Sequence, residues 1–355
     1  MRLRNPFVME SGVFITNYRD DLAFHYSLVA RVRLYVILAF LFALPAFLGT
    51  YAISVANLIA IAAIGALGLN ILTGFTGQIS IGHGAFVGVG AYTSAYLTTH
   101  LGWPFWVALP AAGAVAAAVG SIFGIPSLRL KGLYLAIATL AAQVIIEFAM
   151  VHWTMVTKGS QGLFLQRPAI GGYVLKTDRS FYYLLLVLTI AATAFAFNLF
   201  RTRPGRAFVA IRDRDLAAEV IGVDLFKYKI LAFAISSFYA GIAGSLWGHY
   251  LQIISPEHFT ITASIEYLAM VIIGGLGSVM GSIYGAVFMT LLPILLRSAA
   301  ESASGVFPNV EGIFNGLREV IFGVTIILFL VFEPRGLAKL WQNVKDYFKL
   351  WPFSY

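Results

Sequence analysis

Histidine, cysteine and carboxylate side chains are where catalysis or metal binding would show, and in this sequence they are few and poorly spaced for either. The six histidines, at positions 25, 83, 100, 152, 249 and 258, include no pair at i and i+4 with the acidic neighbour that sets a zinc ion on one helix face. Cysteine is absent, which removes disulfides, thiolate metal ligands and cysteine nucleophiles together. There is no Gly-Lys dipeptide, hence no phosphate-cradling P-loop, and no Gly-x-Ser-x-Gly nucleophile elbow. What remains is the chemistry of polar groups set inside apolar sequence: hydrogen bonding to a passing solute, or hydrogen bonding between packed helices.

Three segments concentrate that chemistry. The first runs from Asn70 to Tyr92, where glycines at 74, 77, 82, 84, 88 and 90 interrupt an apolar stretch that also holds Gln78, Ser80 and His83. Glycine so dense weakens a regular helix, and broken backbone at membrane depth is tolerated only under protein or beside a water-filled cavity. Two readings stand: Asn70, Gln78, Ser80 and His83 line a solute path, or Gly84 and Gly88 let helices pack closely while the polar groups bond across them. The second segment repeats the glycines, at 274, 275, 277, 281 and 285, and Gly277, Gly281 and Gly285 fall every fourth residue, as one helix face would. We take Gly84, Gly88, Gly274, Gly277 and Gly281 as packing or hinge positions. Two glycine-interrupted segments in corresponding places suggest two pseudo-repeated halves with a route between them.

The third segment, Arg201 to Lys229, carries seven basic and four acidic residues interleaved with apolar ones. Pro204 and Gly205 mark a turn before one short helix, while Leu216, Ala217, Val220 and Ile221 suit a face of a second that ends near Gly222. Mixed charged and apolar character between two apolar spans predicts a docking surface for a cytoplasmic partner. Ionisable residues within apolar runs are Glu147, Glu266, Arg318 and Glu319, and Glu147 lies deepest, so it joins the path candidates.

The elements that position these residues follow from composition. Hydrophobic residues make up 59% of the 355 and charged residues 11%, with a mean hydropathy of +0.84, which excludes a soluble chain. Apolar runs predict spans at about 34–49, 53–73, 82–98, 105–124, 132–154, 181–200, 229–248 and 316–333, and the charge-free stretch from Glu266 to Arg297 predicts a hairpin of two more, turning within Gly274 to Gly285. The fold class is an all-α polytopic membrane protein of about ten transmembrane helices. With the N-terminus inside, ten crossings leave Arg129, Lys131, the 200–229 loop and the basic tail in the cytoplasm, whereas Lys158, Arg167, Lys176 and Arg179 fall outside, against the positive-inside trend. The chain divides into a cytoplasmic extension (1–33), a transmembrane domain (34–333) and a cytoplasmic tail (334–355). A net charge of +8 is explained by cytoplasmic loops, with no nucleic acid as partner.

Residues 68–86, Arg129 to Leu140, Gly159 to Leu163, Leu268 to Ser278 and Phe332-Glu-Pro-Arg-Gly-Leu337, together with the Arg203–Lys229 loop, resemble permease subunits of branched-chain amino acid ABC importers, the LivM type in particular. That resemblance implies a bacterial inner-membrane permease working with a second homologous permease, two cytoplasmic ATPases that bind ATP and magnesium, and a periplasmic substrate-binding protein; the chain itself would need no cofactor. It further implies that the charged loop couples to the ATPases through Gly205, Arg206, Arg212, Asp213, Leu216, Ala217, Ala218, Ile221 and Gly222, although Leu216 stands where the general importer motif has Glu. Relatives of this type carry leucine, isoleucine and valine, or urea, amides or aromatic acids. A different class, an ion-coupled secondary transporter, would need no ATPase, but no chain of buried carboxylates is present to serve one.

Overall fold

In a computed structural model of the chain, residues 28–170, 173–304, 320–321, 323–329, 331–333 and 335–350 are described. Residues 1–27 of the 1–33 extension therefore lie outside the described residues, as do Arg318 and Glu319 and the start of the 316–333 span.

The helices form mostly from apolar runs, where a buried backbone must bond to itself, and partly from charged segments. They are α1 (Leu28–Phe47), α2 (Thr50–Asn70), α3 (His83–Thr99), α4 (Phe105–Gly124), α5 (Leu133–His152), α6 (Asp178–Arg201), α7 (Arg203–Val220), α8 (Leu225–Leu251), α9 (Ile261–Gly274), α10 (Val279–Ser304) and α11 (Gly336–Leu350). Helical residues 323–329 precede α11. Six stretches among the described residues are long and apolar enough to cross a membrane: Thr50–Phe75, Phe105–Gly124, Leu133–His152, Asp178–Arg201, Leu225–Leu251 and Val279–Ser298. Among the described residues, α3 and α9 are apolar but fall short of a full crossing. The 17 residues of α3 and the 14 of α9 extend about 26 Å and 21 Å, against a hydrocarbon core of about 30 Å. The only strands among the described residues are two-residue pairs, β1 (Leu163–Phe164) with β4 (Ile253–Ile254) and β2 (Ala169–Ile170) with β3 (Tyr173–Val174), both antiparallel.

Around α8 the core is built from close helix crossings. A side chain at Gly90 would collide with Gly241 backbone, and one at Gly244 with the Val87 carbonyl, so α3 and α8 approach to backbone contact. Gly84 and Gly88 also pack, against Ser264 and against Met150 and Phe259. In the second glycine cluster, Gly274 meets Gly281 and Gly285 meets Met270, which presses α9 onto α10. Gly277 departs from expectation. It does not share a helix face with Gly281 and Gly285 but sits in the α9–α10 turn at φ +78°, beside Gly275 at φ +118°. A four-residue spacing fits a helix face and a turn equally well, and only backbone geometry separates them.

Candidate functional site

The interruption between α2 and α3 is a centre of hydrogen bonding between helices. After Asn70 the helix loosens into a π turn, Ile71–Phe75, and then leaves helical geometry until His83. The carbonyls this frees are taken locally: Thr76 Oγ1 donates to Ile71 O at 2.9 Å, and Gln78 N–H to Leu72 O at 3.1 Å. On the far side of the break, α3 begins inside the protein, where its first N–H groups have no water to meet. Other helices supply the acceptors. Ser264 Oγ takes Gly84 N–H at 2.8 Å, and Gln143 Oε1 takes Ala85 N–H at 2.8 Å and Ser264 Oγ–H at 2.9 Å. Gln143 Nε2 in turn donates to Phe259 O at 2.7 Å, and Thr139 Oγ1 accepts Ile81 N–H at 3.0 Å. Every one of these side chains is buried.

Sequence reasoning missed Thr139, Gln143 and Ser264. Their signal was present as polar residues within apolar runs, but the backbone groups they cap lie far along the chain, and spacing does not reveal them.

The path candidates separate once their partners are known. Asn70 is fully engaged: its carboxamide nitrogen donates to Ser278 O and Ser282 Oγ, both at 2.7 Å, and its oxygen accepts Gly277 N–H at 2.9 Å. It ties the α2 break to the α9–α10 turn. His83 bonds Gly65 O through Nε2 at 2.9 Å, with its ring edge-on to Tyr267. Ser80 Oγ accepts Gly82 N–H at 3.4 Å. Gln78 differs from all of these: at 4% exposure, both of its carboxamide atoms lack a hydrogen-bond partner among the described residues. Glu147 is not brought to this cluster; it sits half-exposed on α5. An apolar cavity of about 480 Å³ lies between α3, α4 and α5 and is lined by Tyr92, Phe123, Met150 and Trp153 among others, but by none of the five path candidates.

Against this centre lies α7. It consists of two helical halves joined at Arg214, which is extended at φ −157° and ψ 101°. The first half is fixed to the end of α6: Gly205 packs so tightly on Leu199 and Phe200 backbone that any side chain there would collide, and Arg206 Nη1 donates to Arg201 O at 2.9 Å. Phe208 and Ile211 are buried beneath it. Arg212 then reaches both glycine turns at once. Its stem lies on Gly77, where an added methyl would sit 3.4 Å from its Cα and Cγ, and its guanidinium occupies the place a side chain would take at Gly277. Gly77, at φ +72°, and Gly277 thus supply both the backbone form and the space.

The second half of α7 has two faces. Inward, Ala218 is buried, and the Asp215 carboxylate meets Lys131 Nζ at 2.6 Å and Lys229 Nζ at 3.7 Å. The hydrogen bond from Lys131 holds the Asp215 carboxyl below its ordinary range, against a smaller opposing effect of burial. Outward, Leu216, Val220 and Ile221 are exposed at 68%, 87% and 77%, with Asp213 and Ala217 also exposed. Gly222, at φ +91°, ends the helix. The two short helices expected here are therefore found. Asp215 was not singled out in the sequence, because among so many loop charges nothing in the order of residues tells which one turns inward.

Residues 51–330 match the family model described as branched-chain amino acid transport system / permease component. The chain is 32% identical over 334 residues to the high-affinity branched-chain amino acid transport system permease protein LivM of Escherichia coli (strain K12), covering 87% of this chain and 75% of that protein. It is 29% identical over 225 residues to the probable branched-chain amino acid transport permease protein LivM of Methanocaldococcus jannaschii, covering 62% and 64%. To the permease protein LivH of Escherichia coli (strain K12) it is 24% identical over 296 residues, covering 77% and 89%. No solved structure matches it.

Proposed function

The chain belongs to the family of branched-chain amino acid transport system permease components, and on that premise we propose that it is the membrane path of an ABC importer for branched-chain amino acids or similar small solutes. The family is a transport permease and not an enzyme, and the chain is a multi-pass membrane protein. In our reading it crosses about ten times in two pseudo-repeated halves, with both termini in the cytoplasm. It pairs with a second, homologous permease and receives solute from a periplasmic binding protein. Separate subunits hydrolyse ATP.

One observation carries this reading: α7 is exposed on one face and seated on both glycine turns by the other. Its outer face offers Leu216, Val220 and Ile221 to solvent in an otherwise charged helix, which suits docking on a motor subunit. Its inner face is already seated on the two interrupted elements, through Arg212 on Gly77 and Gly277. Displacement of the docked α7 would move both breaks together, one in each half, and rock the halves between outward- and inward-open states. The unspent carboxamide of Gln78, adjacent to Gly77, is the group we assign to solute contact.

The test is ATP-driven uptake of labelled leucine, with urea and benzoate as competing classes, by vesicles holding the complete complex. Arg212→Ala should lower solute moved per ATP hydrolysed by roughly two- to thirtyfold, the range set by coupling energies of about 0.5–2 kcal/mol, with complex assembly intact. An unchanged ratio would remove Arg212 from the coupling route. Concentrative uptake by the chain alone, without any ATPase, would favour the ion-coupled class instead.

A further inference from the structure

We propose that α11 lies in the plane of the membrane as an anchor, with its apolar face in lipid and its lysines on anionic headgroups. The helix is placed at the membrane boundary by its first turn. Gly336, at φ +69°, brings the chain against Gly275 and Ile273 backbone at the α9–α10 turn, closer than any side chain would allow. Leu337 then packs with the buried cluster that includes Leu69, Ile273 and Ala286. The α9–α10 turn is also where Arg212 sits, so α11 emerges at the same end of the bundle as α7.

Beyond that first turn, apolar residues recur at helical spacing: Leu340, Trp341, Val344 and Tyr347 continue the line of Leu337. They are exposed at 41%, 61%, 47% and 64%. The opposite side holds Lys339, Gln342 and Asp346, and the helix sequence carries three lysines against one aspartate. Aromatics on the apolar side, Lys339 opposite them and Lys345 at the edge between are the composition of helices that rest between acyl chains and headgroups. A protein-docking face reads differently in the same molecule: the outer face of α7 is aliphatic, through Leu216, Val220 and Ile221, and has no aromatic residue. Net positive charge on α11 favours a leaflet containing anionic lipid. The helical residues 323–329 that precede it also expose Val324, Ile327 and Leu328.

Because the chain has no cysteine, a single reporter can be placed without other changes. Val344→Cys, on the apolar face, and Gln342→Cys, on the polar face, would each carry an environment-sensitive fluorophore. The full chain with its partner permease would be reconstituted in phosphatidylcholine vesicles with or without phosphatidylglycerol. A nitroxide quencher attached near the lipid headgroups should quench the probe at 344 and leave that at 342 in water. Phosphatidylglycerol should deepen the quenching, and replacing Lys339, Lys345 and Lys349 by Gln should abolish that lipid-dependent part. Equal quenching at both positions would overturn the proposal. So would a probe at 344 that lipid never quenches and that becomes shielded only when the ATPase subunits are added. Neither readout depends on transport, so the result stands apart from the proposed function.

Discussion

The two ends of α8 hold the protein together by different physics. Lys229 and His249 lie 20 residues apart on that helix, about 30 Å, the thickness of a bilayer's hydrocarbon core. At the Lys229 end the contacts are ionic and partly wet: Asp215 between two lysines, Arg212 laid over two glycine turns, and a helix kinked at Arg214. At the His249 end they are neutral and buried. Ser245 Oγ–H donates to Ser94 Oγ at 2.7 Å, and Ser94 is 3.1 Å from His249 Nε2. Nδ1 of the same ring lies 3.2 Å from Gln166 O. A carbonyl can only accept, so Nδ1 carries the proton and Nε2 accepts from Ser94. The strand pair β1–β4 closes over this end, with Leu163 opposite Ile254. One end is thus fixed by an unbroken series of matched donors and acceptors, while the other is held by interactions that can shift at small cost. The rocking proposed above needs both: a fixed end to pivot on and a yielding end to be driven.

That contrast can be broken most forcefully at the fixed end. His249→Leu strands the Gln166 carbonyl and the Ser94 hydroxyl, and should lower stability by about 2–5 kcal/mol, read as thermal unfolding in detergent. Solute moved per ATP should be unchanged in complexes that survive; a loss of coupling there would erase the distinction between the ends. Gly277→Val forces a branched side chain into a left-handed turn already filled by Arg212, at a cost of about 1–3 kcal/mol. Its signature is the reverse, an ATPase rate retained while uptake collapses. The smallest change is Asp215→Asn, worth about 0–1 kcal/mol for its short contact with the exposed Lys131, the contact with buried Lys229 being the longer one at 3.7 Å. Its pH dependence sharpens the comparison. The folded carboxyl titrates below its unfolded value of about 3.9, so it contributes stability that is full above that value and is lost as pH falls through the folded one. The gap between wild type and variant should therefore close on acidification; a gap that persisted would mean that the Lys131 contact does not form.

Much of this architecture is legible in the sequence because lipid imposes it. An apolar run long enough to span has no alternative to a helix, so α2 and α4 to α6 stand close to where the hydrophobic runs place them. The α2–α3 interruption is legible for a related reason, since glycines that crowd a spanning run must relieve something. Partners are what the order of residues conceals. Asn70, a path candidate, ties two turns 208 residues apart; Gln143 looked like nothing and caps a helix 58 residues away. Arg212 was one of seven basic residues in its loop, and that it alone reaches both glycine turns depends on how α7 folds back, which local spacing does not encode.

The tie made by Asn70 has a consequence for how the protein is made. Its acceptor on Ser278 lies 208 residues downstream, which at about 5–20 residues per second is roughly 10–40 s of synthesis. Through that interval the Asn70 carboxamide lacks all three partners that it has in the folded chain. The tie between the two glycine turns is therefore among the last contacts the chain can close, and a chain that ends before residue 278 cannot make it.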